Sequence, residues 1–144
     1  MPEPLVQIND LVKTYETPAG PLGVLQGIDM EIGRGEFIAL VGPSGGGKST
    51  FLNMLTGIDR PTSGMVVVDG VDVSTTSERK LTRWRARNIG IVFQFFQLLP
   101  TLTVLENVMM PMDFARVHTR QERSEKALAL LERFDVAGQA ETVE

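Results

Sequence analysis

The residues best equipped for chemistry lie together in Gly42-Pro43-Ser44-Gly45-Gly46-Gly47-Lys48-Ser49-Thr50. Gly42 followed after four residues by Gly47-Lys48-Ser49 fills the spacing of a phosphate-binding loop. The spacing has a physical reason. Glycines accept the backbone of a tight turn, so successive N–H groups can converge on the β- and γ-oxygens of a nucleotide. A helix opening near Lys48 adds the positive end of its dipole. Lys48 would bridge the terminal phosphates, the Ser49 hydroxyl would ligate Mg²⁺, and Thr50 would reach the α-phosphate through backbone or hydroxyl. The competing reading is a glycine-rich strand-to-helix turn with no ligand. From average residue usage, a chance match in such a chain is on the order of one in two hundred.

The flanking elements are those the loop needs. Phe37-Ile38-Ala39-Leu40-Val41 is a continuous apolar run, which predicts a strand buried on both faces. After the loop, Phe51, Leu52 and Leu55 fall at helical spacing, and Gly57 is placed to close that helix. Upstream, Val6–Leu11 predicts a strand with Tyr15 following it, Pro18–Pro21 a turn, and Val24–Ile32 a second strand. Val66–Val68, Asp69-Gly70 and Val71 read as a tight hairpin. Ser77–Arg87 predicts a charged helix and Ile89–Phe93 a second buried strand. Thr103 with Glu106, and Thr119 with Glu122, make two capping boxes ahead of helices. In the last helix Ala127, Leu130, Leu131 and Phe134 share a face, with Gly138 as the stop.

Composition narrows the class. The 144 residues suit one domain, and 42% hydrophobic with 22% charged residues is a globular balance. A net charge of −4 supplies no electrostatic footprint for nucleic acid. With no cysteine and one histidine, His118, the chain has neither thiolate chemistry nor a Cys/His metal cluster. His118 reads as an exposed residue near a helix start. Met1–Leu11 lacks the pattern of a signal peptide, and Ile89–Leu99 is too short to span a bilayer. The expectation is a cytosolic chain that meets a membrane only through a partner.

Further motifs carry a resemblance. Gly57-Ile58-Asp59-Arg60-Pro61-Thr62-Ser63-Gly64, Ile89–Gln94 and Phe93–Val108 stand in an order that resembles ABC-transporter ATP-binding domains, from Val6 to about Phe134. Within these, the chain is similar to the bacterial subgroup serving lipoprotein release and macrolide-type export. The resemblance implies an α/β fold: a P-loop NTPase core with an N-terminal antiparallel β subdomain and the start of an α-helical subdomain. It divides the chain into β-subdomain regions at 1–35 and 64–76, the P-loop strand and helix at 36–63, the strand and Q-loop at 77–100, and the helical subdomain from 101 to 144.

By the same resemblance, Tyr15 stacks on adenine, Val24 packs near the ribose and base, and Gln94 is the Q-loop glutamine that reaches Mg²⁺ and the attacking water. Lys48 and Gln94 are then the catalytic candidates. Gly42, Pro43, Ser44, Gly45, Gly46, Gly47, Lys48, Ser49 and Thr50 hold ATP, and Ser49 and Gln94 meet Mg²⁺. Gly46 stands where the family more often has Ser, Ala or Cys. The implied partners are a second ATP-binding subunit and a membrane permease, reached through the Q-loop and helical subdomain; nucleic acid is not among them. The family's signature motif, Walker B Asp, catalytic Glu and switch His have no counterpart in these residues, so a partial domain with exposed apolar strand edges and poor solubility is expected. The alternatives are an ATP-binding fragment without turnover, or another P-loop phosphotransferase such as a small-molecule kinase. Met109, Met110, Met112 and Phe114 are open between core packing and a partner patch. The Arg83, Arg85, Arg87 cluster beside Trp84 reads as a solvated helix face rather than an anion site.

Overall fold

The computed structural model describes residues 3–95 and 97–143. The chain divides into two compact units, Met1–Leu81 and Thr82–Glu144.

In the first unit, β1 (Val6–Thr17) lies between β2 (Gly20–Ile32) and β3 (Ser63–Val68), and β3 turns into the short β4 (Val71–Asp72). All three pairings are antiparallel. Strand β1 is longer than its apolar alternation suggests. At Asp10 the backbone takes φ 45° and the register shifts between Ile8 and Leu11. The Asp10 N–H, turned out of the ladder, is satisfied by Asp29 Oδ1 at 2.8 Å. This bulge breaks the period of two without ending the strand, so Tyr15 lies within β1 rather than after it. Gly64 sits against the bulge with φ 88°; a Cβ there would fall 2.1 Å from the Asp10 carbonyl oxygen. Only glycine fits that approach.

The β3–β4 turn is the expected one, with Asp69 at φ 49° and Gly70 at φ 73°, the left-handed pair that suits a hairpin. Helix α1 (Lys48–Thr56) packs on β2 and β3 and is closed by Gly57 in the left-handed conformation. It buries Phe51 and Met54, while Leu52 is exposed. The core joins Ile8, Leu11, Leu25, Val66, Val73 and Met54. The boundary between the units falls inside helix α2 (Glu78–Asn88). Its Leu81 is fully buried and lies against Gly57, where an added Cβ would meet Leu81 Cδ2 at 2.8 Å.

In the second unit both capping boxes form. Thr103 opens α3 (Val104–Ala115) and Thr119 opens α4 (Arg120–Arg133), each with Glu at the third helical position bonding back. The two helices pack together, burying Met109, Ala115, Ala127 and Leu131, and Arg123 pairs with Asp113 across them at 2.7 Å. Helix α4 stops at Arg133, and Gly138 lies beyond it in a 3₁₀ turn, Ala137–Gln139. Leu130 and Phe134 are exposed rather than buried.

Two expectations are corrected. Among the described residues no strand pairs with Phe37–Val41 or Ile89–Phe93. Phe37 is 95% exposed, Val41 89% and Val92 99%. An apolar run becomes a buried strand only when neighbours supply ladder hydrogen bonds and cover its faces; these two runs have neither.

Candidate nucleotide site

The loop from Gly42 to Gly47 enters α1 through two left-handed glycines, Gly45 at φ 77° and Gly47 at φ 80°. Gly46 N–H donates to the Pro43 carbonyl at 3.1 Å, closing the turn. Gly47 is held against β2: a Cβ there would sit 3.1 Å from both the Val24 carbonyl oxygen and Leu25 Cδ2. Val24 therefore lies beside the loop. At Gly46 a Cβ would come 3.1 Å from the Pro43 carbonyl oxygen, a tight approach, so glycine at this departure from the family pattern relieves crowding.

Gly47 caps α1 without any side-chain acceptor, and the first turn contains no acidic residue. The opening N–H groups therefore have no side-chain acceptor, and the helix dipole at that end favours an anion over a cation. The Lys48 ammonium folds across the loop and donates to the carbonyls of Gly42 at 2.9 Å and Pro43 at 2.6 Å. These are exposed bonds between a cation and neutral acceptors, which a phosphate oxygen would replace with stronger ones. Ser49 is exposed beside it. Backbone donors at the start of α1, a lysine and an exposed serine hydroxyl are the groups that phosphates and an accompanying Mg²⁺ would take. Among the described residues no group of three or more His, Cys, Asp or Glu could hold a metal by itself.

Tyr15 stands on β1, half-buried, and its hydroxyl donates to Asp59 Oδ2 at 2.7 Å. Lys13, two residues earlier on the same strand face, pairs with Asp59 Oδ1 at 2.9 Å and donates to the Arg60 carbonyl at 2.7 Å. Its ammonium lies 4.6 Å from the centroid of the Tyr15 ring. Burial and the hydrogen bond to Asp59 raise the Tyr15 phenol above its ordinary value, with the nearby Thr50 hydroxyl acting in the opposite sense. Burial works against ionisation of Asp59, yet the hydrogen bonds from Lys13, Tyr15 and the Arg60 N–H outweigh it and hold the carboxyl below its ordinary value. Arg60 in turn ties down the stretch after β4, donating to the carbonyls of Ser74 at 2.8 Å and Thr76 at 2.6 Å.

The first unit thus brings together the loop, Lys48, Ser49, Thr50, Val24 and Tyr15. Gln94 belongs to the second unit, exposed in the unpaired segment after Val92. Lys13 and Asp59 carry no role by residue type alone. The signal that finds them is the i, i+2 spacing of Lys13 and Tyr15 on one strand face, with an acidic residue just beyond the α1 cap. The second unit also has a groove of about 1090 Å³ lined by Arg83, Arg85, Arg87, Ile91, Phe93 and Phe114 among others, so the arginine cluster flanks apolar surface rather than only solvent. Of the methionine cluster, Met109 is buried while Phe114 is exposed. His118 is exposed just ahead of the α4 cap.

A glycine-built phosphate cradle leading into a helix beside an antiparallel sheet defines a nucleotide-binding domain of the P-loop class. More narrowly, the chain belongs to the ABC transporter family, whose model matches residues 25–143. It is 44% identical over 127 residues to the lipoprotein-releasing system ATP-binding protein LolD of Bacteroides thetaiotaomicron, covering 88% of this chain and 56% of that protein. It is 48% identical over 124 residues to LolD of Anaeromyxobacter dehalogenans, covering 85% of this chain and 51% of that protein. The chain spans about half the length of the curated relatives it matches. Among solved structures, a dimeric ATP-binding cassette in a post-hydrolysis state bound to ADP and Pi superposes with a TM-score of 0.88 at 35% identity, covering 96% of this chain and 61% of that one. The fold is therefore the expected α/β cassette fold. Among the described residues, no helix is long and apolar enough to cross a membrane.

Proposed function

We propose that this chain forms the nucleotide-holding part of an ABC-transporter ATP-binding subunit, coupling ATP binding and hydrolysis to export or extraction by a membrane permease. The observation that carries the reading is the cradle itself: uncapped N–H groups at the start of α1 with the Lys48 ammonium folded over them. Gly42–Gly47 would receive the β- and γ-phosphates on backbone donors. Lys48 would move from the Gly42 and Pro43 carbonyls onto the phosphate oxygens, and Ser49 would ligate Mg²⁺. Bound Mg²⁺ supplies neutralisation of phosphate charge. Thr50 would meet the α-phosphate, Tyr15 the adenine, and Val24 the ribose and base. Gln94 would reach toward Mg²⁺ and the attacking water. Catalysis of this kind is chiefly positioning and charge stabilisation, so Lys48 contributes by holding the γ-phosphate rather than by proton transfer.

The relatives named as lipoprotein-releasing proteins, together with the dimeric cassette, support a second ATP-binding subunit and a permease as partners, which would place the protein at the cytoplasmic face of a membrane. The division of the chain into a β subdomain, a P-loop segment and the start of a helical subdomain belongs to the same reading. The test is titration with ATP and Mg²⁺, followed by phosphate release, on the wild type and Lys48→Ala. Saturable binding that Lys48→Ala weakens supports the reading; binding indifferent to Lys48 overturns it. Binding without release would identify an ATP-binding unit lacking turnover on its own.

A further inference from the structure

We propose that Asp59 and Lys13 are positioning residues that make Tyr15 a one-faced platform for the nucleotide base. This rests on the nucleotide reading above and goes beyond it by naming what orients the base. Four contacts define the arrangement. Asp59 Oδ2 accepts the Tyr15 hydroxyl at 2.7 Å, fixing the far end of the ring. The Lys13 ammonium stands 4.6 Å from the ring centroid and covers that face. Lys13 is itself held by Asp59 Oδ1 at 2.9 Å and the Arg60 carbonyl at 2.7 Å, with only 11% of its side chain exposed.

A lone tyrosine on a strand pivots about two side-chain torsions and can offer either face. Here one carboxylate grips both the hydroxyl and the cation on the ring, so a base is left the opposite face. Thr50, in the first turn of α1 where the phosphates would bind, is near enough to influence the same phenol. The carboxylate's charge is balanced by Lys13, so it adds little repulsion toward an approaching nucleotide. Stacking on a ring already fixed avoids the ordering cost that a mobile ring would impose at binding.

The experiment compares affinity for ATP with affinity for inorganic triphosphate, which has no base, by titration calorimetry. Stacking of one base on an aromatic ring makes ATP tighter by roughly tenfold, and Tyr15→Ala should abolish that margin while triphosphate binding persists. Asp59→Ala and Lys13→Met should each shrink the margin by about threefold or more at unchanged triphosphate affinity. Tyr15→Phe, which keeps the ring and deletes only the hydroxyl, should shrink it too. Asp59→Asn, whose single oxygen can accept from the phenol but cannot also hold the Lys13 ammonium as the carboxylate does, should give a margin between those of Asp59→Ala and the wild type. Tyr15 is the single tyrosine of the 144 residues, so its phenolate absorbance reports the Asp59 contact directly and should shift to lower pH in Asp59→Ala. If Tyr15→Ala removes the margin but Asp59→Ala, Lys13→Met and Tyr15→Phe leave it intact, the positioning role is overturned and the nucleotide reading stands. If Tyr15→Ala leaves the margin unchanged, the platform itself is overturned. Should Asp59→Ala fail to fold, Tyr15→Phe and Lys13→Met decide the matter.

Discussion

The Tyr15 hydroxyl donates to the Asp59 carboxylate at 2.7 Å, joining an inner strand of the sheet, β1, to the loop that follows α1. The bond crosses 44 residues of sequence. It sets Tyr15 and the end of the phosphate-loop helix in one frame, together with Lys13.

That frame predicts a pH dependence. Asp59 is held below its ordinary value, so its contribution to stability is present above the unfolded carboxylate value of about 3.9 and is lost as pH falls through the lower folded value. Tyr15 is shifted upward, so its contribution is complete below about pH 10 and lost as pH rises through the folded value. Urea unfolding across pH should show Asp59→Asn losing part of the acid-side dependence, and Tyr15→Phe losing part of the alkaline decline.

Gly64→Ala should be severely destabilising. The new Cβ would overlap the Asp10 carbonyl at 2.1 Å, at φ 88°, where a side chain is already strained. A cost on the order of 4 kcal/mol is expected, read as a large fall in Tm.

Lys48→Ala should leave Tm nearly unchanged, because the side chain bonds only to exposed loop carbonyls. ATP affinity should fall by about ten- to a hundredfold, the worth of a charge-assisted contact to phosphate. A fluorescent ATP analogue titrated with each variant measures both the loss and its selectivity.

Thr103→Ala and Thr119→Ala each remove an acceptor bonded to the N–H of Glu106 or Glu122. Each should cost about 1 kcal/mol. Circular dichroism melts of the single and double variants test this, and the double loss should be close to additive.

The exposed runs around Phe37, Val41, Val92 and Phe95 should bind a hydrophobic dye and drive concentration-dependent association. Sedimentation velocity over a range of concentrations measures this. Replacing Phe37 and Val92 with Ser should reduce both signals.

Local rules made several elements legible in the sequence. The capping boxes, the Asp69-Gly70 turn and the Gly57 cap are set by a few neighbouring residues, and all form as their residue types direct. The glycine turn leading into α1 is legible for the same reason, since its left-handed residues are glycines in consecutive sequence. The burial of Met54 rather than Leu52 was not, because facing depends on how α1 sits against β2 and β3. Nor was the length of β1, because the Asp10 bulge interrupts the alternation that marks a strand.

By itself the sequence determined the glycine-rich turn into α1, the helix caps and the hairpin, all products of short-range sterics and hydrogen bonding. Tertiary structure alone decided that Lys13, Tyr15 and Asp59 meet, that Gly64 must be glycine, and that Phe37–Val41 and Ile89–Phe93 have no strand partner among the described residues. The physical reason is common to all three. Close approach between distant segments, and the covering of an apolar strand, depend on which partners the fold supplies.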